Sequence, residues 1–454
     1  MSLISINPAT EKIISVFEEF TDVTVDDIII NTENNWLHWK YSTFDSRKKC
    51  LLKASEKLIS EKDFLAKVIT SEMGKPIKQA EAEILKCSWV CEYYALNGVE
   101  FLKNEFVETD ASQSYITYNP LGIILAIMPW NFPFWQVFRF AAPTLMAGNA
   151  ALLKHSSNVT QCALEIERIF RESGFPENIF RTLQISSSKV KRVIENPLVK
   201  AVTLTGSEPA GREVAAISGR NLKKVVLELG GSDPFIIFED ADFDAAINGA
   251  VTGRILNNGQ SCIAAKRFIT VGKAADKFIP GFLKKMESLK IGNPMEFETE
   301  LGPLAKKEFA DELQKQVNDS IKAGAKILTK NIPIPDKGFF FQPMILSEVT
   351  KEMPAYSEEL FGPVAVIIQA ANEDEAVKIA NDTSFGLGAS LWTSNAHKAD
   401  RLISQIDSGS VFVNGIVKSD PRLPFGGINN SGYGRELSHY GIKEFVNIKT
   451  VWIK

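Results

Sequence analysis

Three side chains in this sequence of 454 residues, Cys262, Glu228 and Asn131, are of the types that acyl chemistry on a thiol uses. Cys262 ends the run NGQSC at 258–262, although a lone cysteine is more often structural than catalytic. Glu228 lies between apolar residues in LELGG, where a glutamate is costly unless it has a chemical function, caps a helix or pairs with a lysine. Asn131 lies in PWNFP, and its amide either satisfies a turn or donates to an oxyanion.

A glycine-rich turn, GSEPAG at 206–211, directly follows the apolar run 201–204. A turn of this kind, from a strand into a helix, presents backbone N–H groups and the positive end of the helix to a phosphate. The spacing is not that of the dinucleotide-binding fingerprint G-x-G-x-x-G. By itself the turn is therefore also consistent with a simple strand-to-helix connection.

Length and composition limit the class of protein. A chain of 454 residues exceeds what one hydrophobic core supports, so we expect two or three domains. A hydrophobic fraction of 45% and a charged fraction of 23% are typical of soluble globular proteins. The net charge of −4, without a basic stripe, argues against nucleic acid or a membrane surface as the main partner. The longest apolar run, 121–130, is too short to cross a bilayer, and we see no signal peptide.

The cysteines indicate a reducing compartment. An odd count of 5, scattered along the chain, fits reduced thiols in the cytoplasm better than a disulfide framework. Cys87 and Cys91 lie four residues apart, but neither has a histidine or further cysteine nearby, and the chain has only 4 histidines. Buried packing therefore explains this pair better than metal binding, and we predict no metal site.

Apolar spacing predicts the elements that must position these side chains. Residues 25–102 are predicted to be helical, with a break at Gly74 and Pro76. Short apolar runs then alternate with helical segments in two series. The runs are 123–127, 150–153, 201–204 and 225–227, followed by 234–238, 267–271, 364–368 and 410–413. This alternation predicts doubly wound α/β architecture with two α/β domains.

Two further segments are predicted to form strands outside those domains. Residues 106–118 are polar and partly alternating, which is typical of strands that project from a body. Residues 445–453 are strand-like with no following helix. We expect the latter to pair with an existing strand, in this chain or in another subunit.

Several motifs in a common order resemble the aldehyde dehydrogenase superfamily, and the resemblance covers almost the whole chain. They are PWNFP (129–133), LTGS (204–207), LELGG (227–231), GQSC (259–262), EELFGP (358–363) and PFGG…SGYGRE (424–436). Within the superfamily the chain is most similar to the bacterial succinate-semialdehyde dehydrogenases, in the shorter subgroup that carries VKSDPRLPFGG (417–427).

The resemblance implies a fold and a domain organisation. It implies a variant Rossmann NAD(P)-binding domain at 1–105 and 121–230, an α/β catalytic domain at 231–425, and a small projecting β element for oligomerisation at 106–120 and 440–454. Members of the superfamily are dimers or tetramers, so the expected assembly is a homodimer or a homotetramer.

The resemblance also implies a role for each of the three candidate catalytic residues. The Cys262 thiolate attacks an aldehyde, and the oxyanion forms beside the amide of Asn131. Loss of hydride leaves a thioester, and Glu228 is the general base for the water that hydrolyses it. The presence of Glu228 argues against a coenzyme A-acylating enzyme, and the presence of all three residues argues against a non-catalytic member of the superfamily.

Cofactor contacts are implied position by position, for NAD or NADP. Lys154 matches a lysine on the adenosine ribose, Gly206 and Ser207 match the turn at the pyrophosphate, Trp130 lies against the cofactor, Glu359 matches a glutamate on the nicotinamide ribose, and Phe361 packs beside the nicotinamide. Without the motifs, Lys154 and Glu359 would be read as solvated surface charges.

One departure bears on the choice of nucleotide. The strictly NAD-using members carry a glutamate three residues after the lysine, and this chain has Ser157 there. A glutamate repels a 2′-phosphate and a serine does not, so NADP use becomes possible.

The substrate side of the site is expected to involve Arg139 and Ser419. Arg139 lies eight residues after Asn131, on a helix predicted to run from Phe134 past Leu145, so both side chains can face one tunnel. The resemblance implies that Arg139 holds the far carboxylate of succinic semialdehyde and that Ser419 assists. The alternative is an Arg139 that forms a salt bridge with a neighbouring helix.

Overall fold

The computed structural model describes residues 2–454 and contains two large sheets and two small ones. Up to residue 228 the elements are β1 (Ser2–Ile6), β2 (Ile13–Glu18), α1 (Asp22–Trp39), α2 (Phe44–Ser60), α3 (Lys62–Met73), α4 (Ile77–Phe101), β3 (Glu105–Phe106), β4 (Gln113–Pro120), β5 (Ile123–Met128), α5 (Trp135–Met146), β6 (Ala150–His155), α6 (Thr160–Glu172), β7 (Phe180–Thr182), α7 (Val190–Glu195), β8 (Val199–Thr205), α8 (Glu208–Arg220) and β9 (Lys224–Glu228).

The remaining elements are β10 (Asp233–Ile237), α9 (Phe243–Ile255), β11 (Ala265–Val271), α10 (Ala274–Glu287), α11 (Lys307–Lys322), β12 (Lys326–Ile327), β13 (Met344–Ser347), α12 (Pro354–Ser357), β14 (Val364–Ala370), α13 (Glu373–Asn381), β15 (Ala389–Trp392), α14 (Ala396–Ile403), β16 (Val411–Val413), β17 (Gly432–Tyr433), α15 (Ser438–Lys443) and β18 (Val446–Ile453). Short 3₁₀ turns lie at Ser157–Val159, Ser187–Lys189, Leu256–Gly259 and Asn429–Ser431.

The first large sheet has six strands in the order β17-β9-β8-β5-β6-β7. All neighbours are parallel except β17, which pairs antiparallel with β9. The carboxyl ends of parallel strands meet at one edge of a sheet. The segments that follow β5, β6, β8 and β9 therefore meet there, and they carry PWNFP, Ser157, the glycine-rich turn and LELGG.

The second large sheet has seven strands in the order β12-β13-β14-β11-β10-β15-β16. Only β12 is antiparallel to its neighbour. Alternate residues of β10 enter different core clusters: Phe235 and Ile237 pack against α9 and α10, and Ile236 packs with residues of α13 and α14. Both faces of this sheet are thus buried, as a parallel sheet requires. The predicted α/β fold is confirmed, and β13 and β15 are strands that the apolar runs did not predict.

A third sheet, of three strands in the order β18-β4-β3, is antiparallel. The C-terminal strand pairs along its whole length with β4, from Val446 opposite Pro120 to Ile453 opposite Gln113. Its partner is therefore a strand of the same chain. The expected domain boundaries remain a prediction, and Gly432 and Tyr433 return to the first sheet beside β9.

Candidate active site

A cavity of about 390 Å³ opens where the first sheet faces the segments around the second. It is lined by seven of the predicted site residues: Trp130, Asn131, Gly206, Ser207, Cys262, Glu359 and Phe361. Lining residues that the sequence did not single out include Thr205, Phe309, Gln316 and Phe385. The predicted nucleophile and most of the predicted cofactor contacts therefore share one cavity.

The loop before Cys262 is held by its own asparagines. Asn257 and Asn258 have φ values of 59° and 57°, a left-handed conformation that asparagine tolerates better than most residues. The Asn257 amide donates to the carbonyls of Asn131 at 2.7 Å and Gln260 at 2.9 Å. The Asn258 amide donates to the carbonyls of Gly74 and Pro303. The nucleophile loop is thereby tied to three distant segments.

Two buried cations hold the carbonyl groups of the same loop. Lys266 donates to the carbonyls of Ser261 at 3.1 Å and Cys262 at 2.9 Å. Arg254 donates to the carbonyl of Gly259 at 2.6 Å. Arg254 thus supports the nucleophile loop through a backbone carbonyl. Nothing in the local sequence signals either role, since both depend on the path of the chain.

The Cys262 thiol is in its protonated form in this arrangement. Burial and then the charge of Glu359 raise its pKa to about 12, whereas Arg139 and Lys266 act in the opposite direction. Generation of the thiolate therefore requires a change in these surroundings when ligands bind, or a base.

The side-chain amide of Asn131 is fixed in one orientation. Gln136 donates to Asn131 Oδ1 at 3.1 Å, and Asn131 Nδ2 donates to the carbonyl of Gln260 at 3.0 Å. An amide nitrogen carries two donors, so one N–H remains for another acceptor beside Cys262. This geometry suits the predicted oxyanion donor.

Glu228 is buried, and neither of its carboxylate oxygens has a hydrogen-bond partner among the described residues. Burial, followed by the charge of Glu436, raises the pKa of Glu228 well above its ordinary value, and Arg139 opposes this. These surroundings therefore favour the neutral form of the Glu228 carboxyl group. A buried carboxyl group without partners is costly for stability, which favours a chemical role over a structural one.

Glu359 and three aromatic rings form the walls of the cavity. Glu359 accepts from the backbone N–H of Gly231 at 3.1 Å and lies 3.3 Å from Lys266 Nζ. Trp130 stacks on Phe309, with ring centroids 4.6 Å apart, and meets Phe361 edge-on at 5.8 Å. The flat apolar walls and the anchored carboxylate are features of a site for a ring-bearing polar ligand.

Lysines without carboxylate partners lie near the ends of β6 and α11. Burial and the charge of Lys306 lower the pKa of Lys154, and neither lysine forms a salt bridge within the described residues. Ser157 begins a 3₁₀ turn just after Lys154. Ser207 is the N-cap residue of α8 and makes no side-chain cap hydrogen bond. These groups can therefore bind phosphate, and Lys306 was not predicted from the sequence.

Arg139 is buried on α5, as the predicted helix requires, and its guanidinium forms an ion pair with Glu436. It also donates to Thr205 Oγ1 at 3.4 Å, and it lies over the ring of Phe425 with 4.7 Å to the centroid. The ion pair that was the alternative interpretation is thus present, with a partner in the segment before α15. A role of Arg139 in substrate binding stays a prediction.

Ser419 lies in the segment between β16 and β17, and its hydroxyl accepts two hydrogen bonds. Lys86 Nζ of α4 donates at 2.8 Å, and Trp135 Nε1 of α5 donates at 3.0 Å. The sequence did not single out Lys86 or Trp135.

Among the described residues, no helix is long and apolar enough to span a membrane. Within residues 2–454, no cluster of histidine, cysteine and carboxylate groups has a geometry that could hold a metal ion.

Two largely parallel sheets, with a cysteine thiol in the cavity between them, define the α/β architecture of this protein. Over residues 2–451 the chain matches the aldehyde dehydrogenase family, and it belongs to that family. It is 48% identical over 457 residues to a succinate-semialdehyde dehydrogenase (NADP+) of Mycobacterium avium, covering 100% of this chain and 97% of that protein. It is 49% identical over 453 residues to a probable succinate-semialdehyde dehydrogenase (NADP+) of Synechocystis, covering 100% of both.

The fold is also that of solved structures. A succinic semialdehyde dehydrogenase from Streptococcus pyogenes, in complex with NADP+, has a TM-score of 0.97 at 36% identity, with 99% of each chain covered. The predicted family and the predicted enzyme class are confirmed.

Proposed function

We propose that this protein oxidises succinic semialdehyde to succinate with NADP+, through a thioester on Cys262. The observation that carries the proposal is that Cys262 and the amide of Asn131 line one cavity with Trp130, Phe361 and Glu359. The names of the relatives support the substrate and the nucleotide.

The residues around the cavity fit a nicotinamide dinucleotide. Within the described residues Lys154 and Lys306 form no salt bridge, and the amino end of α8 beside Ser207 has no side-chain cap, so phosphate groups find donors there. Glu359 has a carboxylate oxygen for ribose hydroxyls, and Trp130 supplies a flat wall. When bound, the cofactor accepts the hydride that the aldehyde carbon loses.

Cys262 and Asn131 carry the first half of the reaction. The thiolate of Cys262 forms a C–S bond to the aldehyde carbon, and the carbonyl oxygen becomes an oxyanion that accepts from the free N–H of Asn131. Lys266 and Arg254 keep the nucleophile loop in place through its carbonyls. Expulsion of hydride from the same carbon restores the carbonyl and leaves an acyl thioester on Cys262.

Glu228 carries the second half. Its carboxylate removes a proton from water as the oxygen of that water attacks the thioester carbonyl, and the C–S bond then breaks to release the acid and the thiolate. Because burial favours the neutral form of this carboxyl group, its action as a base requires loss of the proton, and Arg139 is the cation that favours this loss. Glu436 is the charge that opposes it.

Ser157 and Ser419 complete the proposed contacts. Ser157, following Lys154, leaves room for the 2′-phosphate of NADP without the repulsion that a carboxylate would exert. Ser419 provides a hydroxyl for the substrate, and Arg139 provides positive charge on the same side. The proposed location of the protein is the cytoplasm, and the proposed assembly is a homodimer or homotetramer formed through β4 and β18.

The proposal is tested by absorbance at 340 nm with succinic semialdehyde or butanal and with NADP+ or NAD+, with and without coenzyme A. We expect coenzyme A-independent reduction of NADP+, with higher kcat/KM for succinic semialdehyde. The Cys262→Ala protein is the blank. Equal kcat/KM values for the two aldehydes would contradict the proposed substrate. A requirement for coenzyme A would contradict hydrolysis of the thioester by water.

A further inference from the structure

Lys86 is a cation without a carboxylate partner among the described residues. It lies half-buried on α4, and it forms no salt bridge within residues 2–454. Its Nζ contacts the Ser419 hydroxyl at 2.8 Å and lies 4.2 Å from the centroid of the Trp135 ring. A half-buried ammonium with only neutral contacts gains stability from a ligand that supplies the negative charge.

The carboxylates nearest to Lys86 are already paired with other cations. Glu83, one turn earlier on α4, pairs with Lys75 and also accepts from the first backbone amides of α5. Asp420 forms an ion pair with Arg422 at 2.7 Å. Glu436, which lies against Arg139, is paired with that residue. None of these groups is free to neutralise Lys86.

The Ser419 hydroxyl has its acceptor capacity filled and its donor free. A hydroxyl has two lone pairs and one hydrogen. Lys86 and Trp135 donate to the two lone pairs, and the described structure contains no acceptor for the hydroxyl hydrogen. Ser419 can therefore give one hydrogen bond to an incoming oxygen, and the Lys86 ammonium can give another.

Helix α5 links this pair to the cavity that contains Cys262. Arg139 of α5 donates to Thr205 Oγ1 at 3.4 Å, and Thr205 and Cys262 line the same cavity. Trp135, one turn earlier on α5, donates to Ser419. Neither Lys86 nor Ser419 lines the cavity assigned to the nucleotide, so the pair is available to the far end of an aldehyde that extends from Cys262 past Arg139.

We propose that Lys86 and Ser419 together bind the carboxylate of the aldehyde substrate, one oxygen on the ammonium and one on the hydroxyl. The inference rests on the proposed function, because it assumes an aldehyde with a terminal carboxylate. It adds directional contacts from Lys86 and Ser419 to the positive charge of Arg139, whose Nε is paired with Glu436.

The test compares Lys86→Met with the wild-type enzyme on succinic semialdehyde and on butanal. Methionine keeps the length and the contact with Trp135 but removes the charge. We expect kcat/KM for succinic semialdehyde to fall roughly 30-fold or more, mainly through KM, because a charge-assisted hydrogen bond is lost. Butanal should be oxidised as before, and Ser419→Ala should show a smaller loss in the same direction.

Lys78→Met is the matched control. Lys78 lies on the same helix, is exposed, and also lies over an aromatic ring, 4.1 Å from the centroid of Phe297. It should leave both aldehydes unaffected. Calorimetric titration with succinate gives a readout independent of turnover, and Lys86→Met should weaken this binding while Lys78→Met should not.

The outcomes separate the two proposals. If the wild-type enzyme prefers succinic semialdehyde and Lys86→Met keeps that preference, the assignment of Lys86 is overturned and the proposed function stands. If the wild-type enzyme shows no preference for the carboxylated aldehyde, the proposed substrate is wrong and this inference is wrong with it. If Lys86→Met does not fold, the Ser419→Ala protein decides by the same comparison.

Discussion

Arg139 on α5 and Glu436, in the segment before α15, form an ion pair that is almost completely shielded from water. Glu436 also exchanges both backbone hydrogen bonds with Phe425, whose ring lies against the Arg139 guanidinium. The pair therefore joins the helix after PWNFP to the C-terminal segment that carries PFGG. Arg139 thus has a structural partner in addition to its proposed place beside the substrate.

Arg139→Leu is expected to destabilise the protein and to lower turnover of both succinic semialdehyde and butanal. Removal of one partner leaves the other as an uncompensated buried charge, which costs about 3–5 kcal/mol. Denaturant unfolding and kinetics with both aldehydes measure the two effects. The double variant Arg139→Leu/Glu436→Leu should recover much of the lost stability. A selective increase in KM for succinic semialdehyde, with stability unchanged, would instead show that Arg139 is a direct carboxylate ligand.

Glu228→Gln is expected to stall the second half of the reaction. Rapid mixing should show a burst of reduced cofactor of about one per active site and then slow turnover, because hydride leaves before the water step needs a base. Glutamine keeps the size of the side chain and removes the base. A variant with the wild-type steady-state rate and no burst would exclude Glu228 as the base.

Ser157→Glu is expected to weaken the binding of NADP+ far more than the binding of NAD+. A carboxylate beside the 2′-phosphate adds like-charge repulsion on the order of 1–3 kcal/mol in a partly desolvated site. Titration of each nucleotide against the variant measures the difference. Ser156→Glu is the neighbouring control for general damage to this turn. Equal losses for NADP+ and NAD+ in Ser157→Glu would show that residue 157 does not face the 2′ position.

The preference for succinic semialdehyde over butanal is expected to decrease as pH rises through about 8. Burial, and then the charge of Arg139, lower the pKa of Lys86 to about 8, while Cys87, Glu83 and Asp420 act weakly in the other direction. Lys86 is therefore charged below that pH and neutral above it.

The ratio of the two kcat/KM values removes the pH dependence of Cys262 and Glu228, because both aldehydes need them. The ratio should be constant below about pH 7 and should fall above it, and Lys86→Arg should carry the plateau to higher pH. A ratio that does not change from pH 6 to 10 in the wild-type enzyme would contradict the role of Lys86.

Local patterns predicted the α/β fold, and the resemblance to the superfamily added several of the residues that line the cavity. Alternation of apolar runs predicted the parallel sheets, and parallel strands necessarily bring PWNFP, the glycine-rich turn and LELGG to one edge. The residues that hold those segments were not predictable in this way. Asn257 and Lys266 act through backbone carbonyls, and such contacts leave no signature in residue spacing.

The substrate side shows the same limit more clearly. The predicted helix of Arg139 is present as α5, but Asn131 lies before that helix, in the segment that follows β5. The partner of Arg139 comes from the far end of the chain, and the donor to Ser419 comes from α4. Only the folded chain shows that Arg139 is paired with a carboxylate and that Lys86 is not.

Glu83 and Lys86 lie within one turn of α4 and have different roles. Glu83 fixes the start of α5 through the amides of Phe134 and Trp135, so a change there would displace the whole helix. Lys86 contacts only side chains of its neighbours. A substitution at position 86, by evolution or by engineering, can therefore change the charge that the far end of the substrate meets. The packing of α4 and α5 stays intact. A neutral or acidic residue there would redirect such an enzyme towards apolar or cationic aldehydes through a single codon change.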